Sequence, residues 1–339
     1  MGSFSRYASE DVSISTDKIT TNAWGTNQNI LTTFHTSSTQ AVFGSATSQG
    51  QFFLDLFKDN PSSTSSIEFT VGYGHKVGSG SIEFTPTAGA LGNTGTKCVY
   101  NQYRQLVYGD ENSEFSFNGF KPNDIYVINI ARNRYKHSLK PGSLNLKLIG
   151  TQTFHLTDDS VTLTGSATIT NIGRQFNIVS GSDGVMSGSN LTQTPAGSGS
   201  YGFLYPDVGI AILNPEAFRN TDPTKFLEGT NVTSQERNSQ LVRRIKDGAS
   251  FELDSEEKIS SQYLFTRVKN SEFNYSSNPS YVDTKGNLNH DSMVDSPITY
   301  VTTIGLYNDD NNLIAVAKLS QPLKKDFTTE ALIRVKLDY

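Results

Sequence analysis

Five histidines, His35, His75, His137, His155 and His290, are the first residues to weigh for chemistry. No two are close in sequence, so no local zinc signature arises, and each reads better as a strand or surface residue. Paired acids stand at Asp158-Asp159, Glu256-Glu257 and Asp309-Asp310. A glycosidase needs two carboxylates facing each other across a cleft, which neighbours on a turn or strand edge seldom do. The Asn308 to Asn312 stretch lacks the glycine and the distal bidentate glutamate of a calcium-binding hand. Cys98 is the single cysteine. It has no internal bridge to form, and a catalytic thiol needs a partner base, so it reads as a small packed residue on a helix. GYGHKVGSGS (72–81) has no Gly-Lys-Ser/Thr, and GSGSYG (197–202) opens a strand instead of a helix, so neither reads as a phosphate cradle. Trp24 would stack on a sugar ring if exposed, but a lone tryptophan reads better as a packing anchor. No catalytic, cofactor-binding or metal-ligating residue is assigned, no cofactor is expected, and a non-enzymatic role is.

Charge concentrates locally at Arg132, Arg134, Lys136, His137 and Lys140. This cluster would grip an acidic partner subunit; the plainer reading is a solvated turn between two strands. Arg243, Arg244 and Lys246 are expected to pair with Asp247, Glu252 or water. The net charge is −5 and only 18% of residues are charged, which argues against gripping a nucleic-acid backbone. No apolar run is long enough to span a bilayer. The start, MGSFSRYASEDVSIS, lacks the basic and apolar regions of a secretory signal, and Arg6 stands where a myristoylation signal needs Ser or Thr. Synthesis in a cytoplasm followed by assembly is the expectation, which makes the sequons at Asn190, Asn231 and Asn274 products of composition. With 20 Phe and 15 Tyr, aromatic rings must supply much of the buried area, and tyrosines also suit subunit interfaces.

The elements that would position these residues are mostly short β runs separated by Gly, Asn, Ser and Pro. Strands are expected at 12–15, 30–35, 50–57, 67–73, 80–85, 124–130, 143–150, 160–171, 174–180, 202–213, 250–254 and 259–269. The run 160–171 alternates hydroxyl and apolar residues, as in a sheet wet on one face. Helices are expected at 97–108, with Val99, Tyr103, Leu106 and Val107 in one stripe and Gly109 as the stop, and at 234–246. Shorter helical turns are expected at 215–220 and 131–138. The end of the chain is the clearest. Apolar runs 299–307 and 313–319 flank Asn308-Asp309-Asp310-Asn311-Asn312, a hairpin signal, because Asn and Asp tolerate left-handed backbone angles. Ile333, Val335 and Leu337 then alternate with Arg334, Lys336 and Asp338. The fold class is mainly β, with antiparallel sandwich- or barrel-like sheets and a few short helices. Two β-rich regions, 1–155 and 156–339, are expected, with an exposed Gly/Ser loop at 181–202.

The closing stretch SPITYVTTIGLYNDDNNLIAVAKLSQPLKKDFTTEALIRVKLDY (296–339), preceded by FTRVKNSEFNYSSNPSYV (265–282), resembles virion structural proteins of contractile-tailed marine cyanophages. VYNQYRQLVYG (99–109), DIYVINIARNRYKHSLKPGSLNLKL (124–148) and YGFLYPDVGIAILNP (201–215) are similar to the same group. The resemblance implies a structural role in the virion, and a looser likeness to baseplate wedge subunits implies the tail baseplate. In that role other virion proteins would be its partners and a homo-oligomer is expected, while the charge balance and the absence of a long apolar run already argue for no nucleic acid and no membrane span. The candidate contact residues are Arg132, Arg134, Lys136 and Lys140, with Tyr300, Leu332, Val335 and Leu337 on the C-terminal strands. A head decoration or neck protein, a carbohydrate- or receptor-binding tail module, and a hydrolase are the alternatives.

Overall fold

A computed structural model describes residues 6–24, 29–36, 53–59, 65–81, 94–150, 152–162, 167–187, 200–221 and 234–338. The chain forms two compact units: Ile19–Glu257, and Met1–Lys18 together with Lys258–Tyr339. This division differs from the expected one at 155/156, which falls inside a strand in the middle of the larger unit's sheet.

Strand β1 (Val12–Asn22) opens the fold. The larger unit then contains β2 (His35–Thr36), β3 (Phe53–Phe57), β4 (Ile67–His75), helix α1 (Gly95–Tyr108), β5 (Asp124–Ile130), β6 (Ser138–Leu139), β7 (Asn145–Ile149) and β8 (Thr153–Asp158). It continues with β9 (Thr168–Thr170), β10 (Gly173–Ser182), β11 (Val185–Met186), β12 (Gly202–Tyr205), β13 (Ile210–Leu213), α2 (Pro215–Thr221), α3 (Ser234–Gly248) and β14 (Phe251–Glu252). Its main sheet runs β14-β7-β8-β10-β12-β13-β5-β4-β3-β2, antiparallel throughout, and curls into a half-barrel. At its β14 end, Ile30 bridges Glu252, and the amides of Ala23 and Leu31 donate to the carbonyls of Leu253 and Phe251.

Central strands of this sheet are buried on both faces, and alternation sorts their side chains. Tyr126, Ile128, Leu204, Ala211 and Leu213 enter one core with Trp24, Phe69, Phe218 of α2 and Leu241 and Ile245 of α3. Ile125, Val127, Phe203, Tyr205, Ile210 and Ile212 enter a second core with Tyr100 and Val107 of α1, Phe115 and Phe117. Helix α1 lies directly on the sheet: a Cβ at Gly74 would stand 2.8 Å from the Tyr100 backbone nitrogen. The helix ends at Gly109, whose φ of 67° is the left-handed cap that glycine adopts without steric cost.

Several expectations meet corrections here. The run 202–213 is two strands, because Pro206 to Gly209 makes a turn clamped by Arg174, which donates from Nε and Nη2 to the Asp207 carboxylate. Of the run 160–171, only Thr168–Thr170 is strand; 160–162 is a turn, and 163–166 lie outside the described residues. The strand expected at 80–85 lies mostly outside the described residues, as do 188–199 of the Gly/Ser loop and Asn190 and Asn231. On α1 the buried side chains are Thr96, Tyr100 and Val107, with Tyr103 half-buried against the second core as expected, while Leu106 is exposed. Cys98 is also exposed, so it is not a packed residue.

The smaller unit holds β15 (Asp254–Val268), α4 (Ser292–Asp295), β16 (Thr299–Tyr307), β17 (Leu313–Lys325) and β18 (Ala331–Asp338), with β15 beginning in the larger unit. One sheet has the order β1-β15-β18; the hairpin β16-β17 makes the other. Leu264, Val335 and Leu306 fill the space between them, flanked by Val12, Ile304, Ala315, Ala317 and Leu337. The hairpin turn is the expected one: Asn311 sits at φ 62°, and the Asn308 side chain accepts from the Asn312 amide.

Candidate interaction site

The smaller unit carries a groove of about 660 Å3. Its lining includes five consecutive residues of β16, Thr303 through Tyr307, with Val301 before them and the turn residues Asn308 and Asp309 after. Side chains of a strand alternate between faces, so a hollow floored by one face would touch every second residue. Unbroken contact means the groove runs along the edge of β16. That edge is open: β16 pairs only with β17, and among the described residues no other backbone hydrogen bond reaches 300–306. Opposite stand Thr266 and Val268 of β15 and Ile333 of β18, the last directly across from Thr266. Tyr7 closes one side, its hydroxyl 2.6 Å from Thr266 Oγ1.

Phe273 completes the wall in a backbone conformation that bulky residues rarely adopt, φ 55°. Neighbouring hydrogen bonds hold it. Thr299 Oγ1 donates to the Phe273 carbonyl at 2.6 Å. The fully buried Lys325 Nζ donates to Asn274 Oδ1 at 2.8 Å, the Asn270 carbonyl at 2.9 Å and the Asp326 carbonyl at 2.7 Å. Its three donors are all used, on neutral acceptors, which makes burial of the ammonium tolerable. The same bonds commit the Asn274 side chain, the one sequon within the described residues.

The unit also exposes much apolar surface: Tyr300, Leu313, Ile314, Val316, Phe327 and Leu332 are each more than half exposed. With so few residues fully buried between its sheets, this unit shows to solvent what a self-sufficient domain would cover.

Of the expected contact residues, Tyr300 and Leu332 are exposed here, at 62% and 64%. Val335 and Leu337 are not free: Val335 is buried and Leu337 half-buried in the core, because their face of β18 turns toward the hairpin. The basic cluster lies in the larger unit and is partly consumed there. Arg134 Nη2 bonds the buried Glu68 carboxylate at 2.8 Å. Burial pushes the Glu68 carboxyl up, and Arg134 opposes that shift. Arg132 stacks on the Tyr135 ring and donates to its carbonyl, while Lys140 Nζ is 3.9 Å from Asp254. Lys136 is exposed. Arg243 pairs with Asp247 as expected, and Arg244 donates to the Ile149 carbonyl. Sequence reading missed Tyr7, Val268, Phe273 and Ile333 as groove residues. Only the apolar spacing of 299–307 signalled the strand they face.

The remaining chemical candidates are built into the larger unit. Asp158 closes β8 and Asp159 follows it, and both are buried. Asp158 accepts from the amides of Gly142 and Ser160, Asp159 from the amide and side chain of Asn177, and burial raises both carboxyls above their usual range. The densest charge knot joins Asp124 to Arg219, with Arg237 3.6 Å away and Tyr73 donating its hydroxyl at 3.0 Å. Arg237 also stacks on the Tyr73 ring, and Asp124 and Arg237 are 3% and 2% exposed, so the knot ties β4, β5, α2 and α3 together. Trp24 is buried, donating Nε1 to the Phe251 carbonyl at 2.8 Å, which fits the anchor reading and removes it from sugar stacking. Among the described residues, no group of three or more His, Cys, Asp or Glu is placed to hold a metal ion. No described helix is long and apolar enough to cross a membrane.

No family model, curated protein or solved structure matches the chain.

Proposed function

We propose that the protein is a structural subunit of a phage virion, placed in the tail baseplate, and that it works by protein–protein contact without turnover. The groove along β16, in a unit that also exposes much apolar surface, is the observation that carries this reading. A strand edge and a wide apolar surface are costly to leave in water and useful when a partner covers them. The likeness of 296–339 and the upstream blocks to cyanophage virion proteins supplies the setting. Repetition by symmetry would then seat several copies in one ring, and other virion proteins would be the neighbours. A head-decoration or neck position uses the same kind of surface, and a particle map with the chain traced separates these. Mass spectrometry of purified particles is the primary test: the polypeptide is expected as a stoichiometric component, and its absence overturns the proposal.

Carbohydrate binding is a second reading, favoured by one feature of the larger unit. A polar hollow of about 280 Å3 there is lined by Asn145, Lys147, His155, Asp183, Ser250 and Glu252. Asn145 Nδ2 bridges the Asp183 and Glu252 carboxylates at 2.9 and 3.0 Å. Glycan-array binding that disappears in Glu252→Ala would favour it.

A further inference from the structure

We propose that the groove receives an extended segment of a partner polypeptide, which adds to the free edge of β16 as a third strand of the β16-β17 sheet. This rests on the assembly reading and says how the contact is made. Three observations select a strand over other occupants. First, the groove follows a backbone edge, and an open row of N–H and C=O groups is matched by another backbone. A helix or a sugar would leave that row unpaired. Second, the opposite wall presents Val268 and Ile333, with Ile304 and Leu306 beside the edge. An added strand would set every second side chain against this wall and turn the others to solvent. Third, among the described residues the charged members of the lining are Arg6 and Asp309. The walls between suit a segment uncharged at its inward positions. Phe273, pinned by Thr299 and flanked by the Lys325–Asn274 bond, borders this space in a conformation set before any partner arrives. That reduces the ordering cost of association.

The test uses the full chain and displayed random peptides of about nine residues, matching β16 in length. Peptides enriched on the wild-type chain are expected to carry apolar residues at every second position and no central proline. A synthetic peptide of that pattern is expected to slow hydrogen exchange at amides of 301–306. N-methylating its amides one at a time should weaken binding about five- to tenfold at alternate positions only, since each edge bond contributes about 1 kcal/mol. Ile333→Arg should abolish binding while far-ultraviolet circular dichroism stays unchanged. No enrichment, enrichment without a period of two, a flat N-methyl scan, or unprotected 301–306 amides each overturns the edge-strand proposal. The methyl scan alters only the peptide, so it decides even if Ile333→Arg misfolds. A chain found in virions but giving none of these results loses this inference alone. A chain absent from virions that binds such peptides loses only the virion reading.

Discussion

Trp24 and Asp158 show how single residues set the stability of the larger unit. Trp24 meets Phe251 edge-on with ring centroids 4.9 Å apart and Phe69 at 6.1 Å, while its Nε1 closes a hydrogen bond to the chain at the far end of the sheet. Trp24→Ala removes ring packing and leaves the Phe251 carbonyl without that donor. A loss of about 3–5 kcal/mol is expected in urea denaturation, and a loss under about 1 kcal/mol would contradict the anchor role. Asp158 acts through protonation. Burial raises its folded-state pKa above the ordinary carboxyl value, so the folded chain binds this proton more tightly than the unfolded one. Its contribution is therefore full below the unfolded value of about 3.8 and is lost as pH rises through the raised folded value. Asp158→Asn does not titrate. The stability gap between wild type and Asp158→Asn should narrow from pH 4 to pH 7, and a gap that widens would refute the assignment.

Strand β18 is the element on which the smaller unit turns. It pairs with β15 from Ser261↔Asp338 to Val268↔Ala331, supplies Val335 to the core and places Ile333 in the groove wall. Deleting 331–339 removes all three functions at once and leaves the β18 edge of β15 unpaired. The truncated chain is expected to lose exchange protection at 259–268 and to fail to enter particles. A truncated chain that keeps both would show the strand to be dispensable. Hairpin β16-β17 follows local rules of alternation and turn chemistry, which is why its bounds were legible in sequence from Thr299 to Leu313. The division at Pro206 to Gly209 was not, since the apolar runs on either side blend into one.

Across the molecule, buried carboxyls and hydrogen-bonded surface carboxyls answer acid in opposite senses. In the larger unit, burial raises Asp158, Asp159 and Glu68, whose contribution grows as pH falls. In the smaller unit, hydrogen bonds from Thr329 and Thr328 hold Asp326 below the usual carboxyl range, those from Ser261 and Lys336 hold Asp338 there, and those from Asn287 hold Asp283. That contribution is present above the ordinary pKa and is lost as pH falls through the lowered values. Sequence alone determined the β class, the β5 bounds at Asp124 and Ile130, the stop of α1 at Gly109 and the C-terminal hairpin. These rest on alternation, turn residues and capping, which act between near neighbours. Only the tertiary structure decided that residues 6–18 join 258–338, that Val335 faces inward, that Arg134 is spent on Glu68, and that among the described residues β16 keeps a free edge beside Val268 and Ile333. Each of those depends on which distant segments meet, and the long-range pairing of strands leaves no local mark in the residues that take part.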